Sequence, residues 1–168
     1  MTNHPFMKLY VEQLRDLYNA EKQLTKAIPQ MAKAATSSSL KSAFNEHLKL
    51  TKKHVERLDT IFKALGRSPN GKTCKAMAGL ISEGKELLED DYDEQVLDAG
   101  LIGAAQKIEH YEIAAYGTLR AYAELMGETE ATRLLWDTLQ EEGDTNNLLT
   151  RLALEKINTR AVEQVATA

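Results

Sequence analysis

Apolar residues recur along the chain at steps of three and four, the spacing that gathers one face of an α-helix. Tyr10, Leu14, Leu17, Leu24, Ile28, Met31 and Ala35 form the first such stripe. Pro29 falls inside it and predicts a kink or break, because a proline nitrogen has no hydrogen to donate. The run Thr36-Ser37-Ser38-Ser39 interrupts the pattern, and Ser39 is placed to cap the helix that follows. A second stripe runs through Leu40, Phe44, Leu58, Ile61 and Leu65 and closes at Gly66. Residues 66–72 read as a loop, and 75–88 as a short extra helix inside a long connection. A third helix is predicted from about Tyr92 to Met126, with Leu97, Leu101, Ala104, Ile108, Ala115, Leu119, Tyr122 and Met126 inward and Gly127 at its end. The fourth starts near Glu128 and turns Leu135, Leu139, Leu149 and Ala153 inward. From about Asn158 the pattern thins, which predicts a frayed tail. Strand-type alternation is nearly absent.

Two long helix pairs with tight turns, joined by a long segment, predict an all-α fold. The topology is that of a ferritin-like four-helix bundle: two antiparallel hairpins, a long crossover and one extra short helix. The length suits a single domain over 1–168.

Each apolar seam is interrupted near its middle by polar residues. These are Glu21 in the first helix, His47, Thr51 and His54 in the second, Glu109 and Glu112 in the third, and Glu142 and Asn146 in the fourth. Glu21 lies 16 residues before Ser37, and His54 lies 17 after it. Glu112 lies 15 before Gly127 and Glu142 15 after it, while Glu109 and Asn146 are 18 and 19 away. At a rise of about 1.5 Å per residue, the members of each pair are level to within roughly 2 Å.

A buried carboxylate without a partner is costly, and clustered carboxylates raise each other's pKa. Bound cations remove that cost. Carboxylates with an imidazole suit iron, or alternatively manganese, and no set of thiolates favours structural zinc. The predicted ligands are Glu21, His54, Glu109, Glu112 and Glu142, for one or two ions. Asn146, His47, Tyr116 and Tyr18 are further candidates, as ligands or as side chains that steady them. The plainer reading makes His47 a hydrogen-bonded core histidine and Tyr18, Tyr111, Tyr116 and Tyr122 packing aromatics. His110 falls off the seam, and His4 receives no role.

Composition narrows the classes. Of the 168 residues, 43% are hydrophobic and 27% charged, which describes a folded chain rather than a disordered one. The net charge is −4, and no basic cluster offers a nucleic-acid footprint. The acidic run at 89–94 reads as a solvated turn. Cys74 is the only cysteine, so no internal disulfide forms. With no apolar leader and no transmembrane run, the expectation is a cytoplasmic protein without membrane partners.

The stretches DLYNAEKQL (16–24), HLKLTKKHVERL (47–58), AAQKIEHYEIAAYGTL (104–119) and TLQEE (138–142) resemble the YciF-like family of ferritin-like bacterial stress proteins. The likeness spans nearly the whole chain. It implies a four-helix bundle with an added helix, a homodimer and a dinuclear metal site. Glu21, Glu109, Glu112 and Glu142 stand at acidic positions of that family, and His54 at one that varies. Leu50 and Asn146 depart from it, standing where the resemblance implies Glu and Asp. The loss of two anionic ligands favours one ion or an asymmetric pair. Two functions fit: redox handling of iron or peroxide under stress, of oxidase or peroxidase type, or a non-enzymatic stress-associated structural or interaction protein with a weak metal site. Iron storage or DNA protection ranks behind both, since DNA protection usually calls for a basic surface.

Overall fold

The computed structural model describes residues 4–165. The helices are α1 Pro5–Ala34, α2 Ser38–Leu65, α3 Lys75–Glu89, α4 Glu94–Leu125 and α5 Thr129–Leu152; a π-helical segment, Ala153–Ile157, leads into α6, Asn158–Val165. There is no strand among the described residues, and none of their helices is long and apolar enough to cross a membrane.

Local chemistry sets the boundaries. Pro5 opens α1, and the preceding His4 caps it, its Nδ1 accepting from the Phe6 amide at 3.2 Å. His4 therefore has a structural task that the apolar pattern did not reveal. The cap of α2 is Ser37 rather than Ser39, its hydroxyl accepting from the Leu40 amide at 3.4 Å. Gly66 and Gly127 end α2 and α4 with φ of 61° and 73°, the left-handed conformation that glycine adopts without strain. Pro29 does not break α1, which is one helix from Pro5 to Ala34. Pro29 lies on the exposed face, where water can take up the carbonyl that loses its donor. The expected frayed tail also differs. The chain stays helical through Val165, with Ala153 and Ile157 buried; the last three residues lie outside the described part.

α1 packs on α2 and α4 on α5, while α1–α4 and α2–α5 contacts close the ring and α3 lies against α4 and α1. A buried aspartate on α4 helps to join the two hairpins in register. Asp98 accepts from the Thr36 amide and hydroxyl at 2.8 Å each and from the Ser37 amide at 2.7 Å. The start of α4 is thereby pinned beside the α1–α2 turn, so the crossover has run the length of the bundle. At the other end, Phe6 packs edge-on against Tyr122 at 4.8 Å between centroids, making α1 and α4 antiparallel. Glu21 lies 15 residues before Thr36, and Glu112 lies 14 after Asp98. The clasp therefore brings the two hairpins' polar residues to one height.

Apolar layers enclose that height. Leu14, Leu17, Leu24, Leu40, Leu58, Leu101, Leu119 and Leu135 are buried in one continuous core. At about 1.5–3 kcal/mol for each large side chain fully removed from water, such a core can support an unfavourable polar layer.

Candidate metal centre

Glu21, His54, Glu112 and Glu142 are all 0% exposed, and His47 and Glu109 are buried beside them. Two overlapping groups of ligand atoms result. One joins Glu21, His54 and Glu142, and the other joins His47, Glu109, Glu112 and Glu142. Within each group the atoms lie within 4.8 Å of one another, and Glu142 belongs to both. Helical spacing explains the convergence. Glu109 and Glu112 are three residues apart on α4, and His47 and His54 are two turns apart on α2, so each pair projects from one face.

The inward atoms are close but not aimed at each other. His54 Nδ1 lies 3.0 Å from Glu142 Oε1 and 3.4 Å from Glu21 Oε1, and His47 Nε2 lies 3.2 Å from Glu109 Oε1. None of these contacts has hydrogen-bond alignment, and eight buried atoms of the cluster lack a partner. They are Glu21 Oε2, His47 Nε2, His54 Nδ1, Glu109 Oε2, both Glu112 oxygens and both Glu142 oxygens. Buried polar groups are normally paired. Tyr116 does meet that norm, donating its hydroxyl hydrogen to Glu21 Oε1.

The charges respond accordingly. Burial first, then the Glu142 and Glu21 carboxylates, push Glu109 and Glu112 well above the ordinary carboxylate range. Glu21 is also raised, chiefly by burial. Burial would raise Glu142 too, but the neighbouring His54 and His47 outweigh it and hold this carboxyl low. His47 is lowered by burial. For His54, burial opposes the charged form, yet Glu141, Glu142 and Glu21 hold its pKa up at about 11. Without a metal, one imidazolium serves as the local cation for the carboxylates. The remaining repulsion is relieved by pushing Glu109 and Glu112 toward their neutral forms.

Two residues that the seam pattern missed complete the surroundings. Glu141 accepts from His54 Nε2 at 2.9 Å and from Arg57 Nη1 and Nη2 at 2.6 and 2.9 Å. Burial works against its charge, but these bonds hold its pKa down at about 2. Glu141 sits one position off the α5 seam, so periodicity alone leaves it outside. The available signal was the His54–Arg57 spacing of three on α2, which offers two donors to one acid.

Of the further candidates, Tyr116 and His47 are at the cluster and two are not. Tyr18 packs edge-on against Phe62 at 6.0 Å, with Asp59 beside its hydroxyl. Asn146 is half-buried, and its Oδ1 accepts from Gln106 Nε2 at 3.2 Å. Each lies about one helical turn along the chain from a cluster glutamate and is engaged by these other partners. Thr51 is buried, but its hydroxyl donates to the His47 carbonyl at 3.0 Å, and Leu50 is half-buried. His110 is exposed, as expected.

Comparison with known proteins agrees with this architecture. A family described as a domain of unknown function, DUF892, matches residues 6–162. Protein YciF of Escherichia coli K12 is 43% identical over 154 residues, covering 91% of this chain and 93% of that protein. The crystal structure of that stress protein superposes with a TM-score of 0.88, at 42% identity over 91% of this chain and 97% of the other. YcfI of Rhodopseudomonas palustris gives 0.85, at 44% identity over 88% and 94%. A ferritin-like, diiron-carboxylate protein from Bacillus anthracis strain Ames shares the fold at 18% identity, with a TM-score of 0.70 over 89% and 98%.

Proposed function

This chain belongs to the DUF892 family, and from that starting point we propose that its bundle binds iron, with manganese the alternative, in two adjoining positions that share Glu142. We propose further that the bound metal handles iron or peroxide redox chemistry during stress. The observation that carries this reading is the set of eight oxygen and nitrogen atoms without hydrogen-bond partners converging in a buried interior. Carboxylate oxygens with one imidazole at each position suit iron or manganese, and no second cysteine exists to favour softer metals.

Bound iron would supply a ferrous–ferric couple able to pass electrons to peroxide. The protein's part is to hold the donors. Glu142 links the two positions, Glu112 and Glu109 add negative charge to one of them, and Tyr116 steadies Glu21. The leucine layers exclude water, which strengthens every charge interaction inside. That a close relative is called a stress protein, and a distant fold neighbour a diiron-carboxylate protein, supports the same direction. A buried free thiol at Cys74 suits the reducing cytoplasm as the working compartment. The family resemblance adds a homodimer.

The test is direct. Protein loaded anaerobically with Fe(II) is expected to oxidise it faster than buffer does when peroxide is added, and Glu112→Ala should lose that acceleration. An unchanged rate in the variant would refute the reading. Leu50 and the engaged Asn146 favour a second one, a non-catalytic stress-associated protein with a weak site. Elemental analysis of protein purified without chelator separates them, since only the first reading requires retained metal.

A further inference from the structure

Both imidazoles of the cluster lean on the same turn of α5. His54 Nε2 lies 2.9 Å from Glu141 Oε2, and Arg57 holds that carboxylate through two bonds while also donating to Thr138 Oγ1 at 2.9 Å. His47 Nδ1 lies 3.4 Å from Thr145 Oγ1, and the Thr145 hydroxyl donates to the Glu141 carbonyl at 2.9 Å. The hydrogens follow from valence. An ionised carboxylate only accepts, so His54 carries a hydrogen on Nε2. A hydroxyl has one hydrogen, and that of Thr145 is already given to a carbonyl. Towards His47 its oxygen is therefore the acceptor, which places the ring hydrogen on Nδ1. In each ring the other nitrogen faces the cluster: Nδ1 of His54 beside Glu21 and Glu142, and Nε2 of His47 beside Glu109.

We propose that Glu141 and Thr145 are positioning residues that set which nitrogen each imidazole presents to the ions, Nδ1 from His54 and Nε2 from His47. The inference rests on the metal-binding reading above and deepens it. Residue 141 acts twice. Its side chain orients His54, and its main-chain carbonyl orients Thr145, which in turn orients His47. Outer partners of this kind fix ring orientation and raise ligand basicity in metal sites generally. The two supports are separable, because Thr145 bonds the backbone of residue 141 and not its side chain.

Nitrogen-15 NMR of histidine-labelled, metal-free protein tests the support without any metal. His47 is expected as the Nδ1–H tautomer, with Thr145→Val scrambling its ring signals and Thr145→Ser restoring them. Chelator competition with Mn(II) then tests the consequence. Glu141→Ala should weaken Mn(II) binding by about 10–100-fold. Glu141→Gln keeps an acceptor for the Nε2 hydrogen and should recover most of the loss. A merely structural residue would show no such pattern of rescue. Wild-type His47 found with its hydrogen on Nε2 overturns the proposal, as does Mn(II) affinity that neither Glu141→Ala nor Thr145→Val changes. If the wild type takes up no Mn(II) while His47 is the Nδ1–H tautomer, the support stands for the rings and it is the metal reading that fails.

Discussion

Replacing Glu112 with leucine should move the protein's stability in opposite directions with and without metal. Glu112 is 0% exposed, and neither of its oxygens has a hydrogen-bond partner. Burial and the charges of Glu142, Glu21 and Glu109 raise its pKa well above the ordinary range. Folding therefore carries either an unpaired charge or an unpartnered carboxyl at this position. An unsatisfied buried polar group costs about 1–3 kcal/mol, and exchanging buried charged groups for apolar ones of similar volume is often neutral or stabilising. Glu112→Leu is expected to stabilise the metal-free protein by about 1–3 kcal/mol, since the neighbouring core is already leucine-rich. For a chain of this size that is a rise in Tm of roughly 2–12 °C. With metal the order reverses. At a thousandfold excess over Kd, a ligand that binds only the folded state adds about 4.1 kcal/mol, more than the variant's own gain, and the variant, short of a ligand, largely forgoes it. Thermal melts monitored by circular dichroism, after chelation and after anaerobic Fe(II) or Mn(II) loading, read both arms. If chelated Glu112→Leu melts below chelated wild type, or gains as much from metal, the account of the cluster is wrong.

Metal-free protein should be more stable at about pH 5 than at about pH 8. Folded pKa values above the unfolded ones at Glu21, Glu109, Glu112 and His54 mean that the unfolded state releases protons first as pH rises, so stability falls through that window. Glu141, held at about 2, and Glu142, also held low, act in the opposite sense and lose their contributions only below the ordinary carboxylate range, while His47, lowered by burial, opposes the trend as one group against four. Urea titrations at the two pH values check the slope, and saturating metal should reverse it, because the ligands bind deprotonated. Asp98→Ala should lower stability by about 2–4 kcal/mol, since it leaves two backbone amides of the α1–α2 turn without their charged acceptor. A loss well under 1 kcal/mol in the same titration would mean that register is held elsewhere.

Legibility differed between levels for physical reasons. Three-and-four spacing reports which face of a helix is dry, so the stripe from Tyr10 to Ala35 and its counterparts located the bundle helices closely. Counting residues from each turn levelled Glu21 with His54 and Glu112 with Glu142, because rise per residue is nearly constant. Register between the hairpins was not accessible in that way. It is set by long-range contacts such as those of Asp98, one acid whose three bonds reach residues 61 and 62 positions away. His47 looked like an ordinary core histidine because no signal within α2 announces Glu109 opposite it. Glu141 was hidden by adjacency: helical patterns distinguish faces, and the residue next to the inward Glu142 belongs to another face.

The cluster exists at a cost to the fold. A bundle of this shape is built most readily with leucine at every inward position, and Leu50, half-buried one turn from His54, shows that an apolar side chain fits at the margin of the polar layer. Glu112, with no partner for either oxygen, contributes nothing to packing that leucine would not contribute better. Three buried glutamates held above the ordinary carboxylate range, Glu21, Glu109 and Glu112, work against the fold, while Glu141, Arg57 and Tyr116 are bonded so as to hold the cluster's side chains in place. Surroundings ordered around a group that destabilises the interior are compatible with a group that serves a partner, and a cation is a partner whose charge would turn the repulsion into attraction.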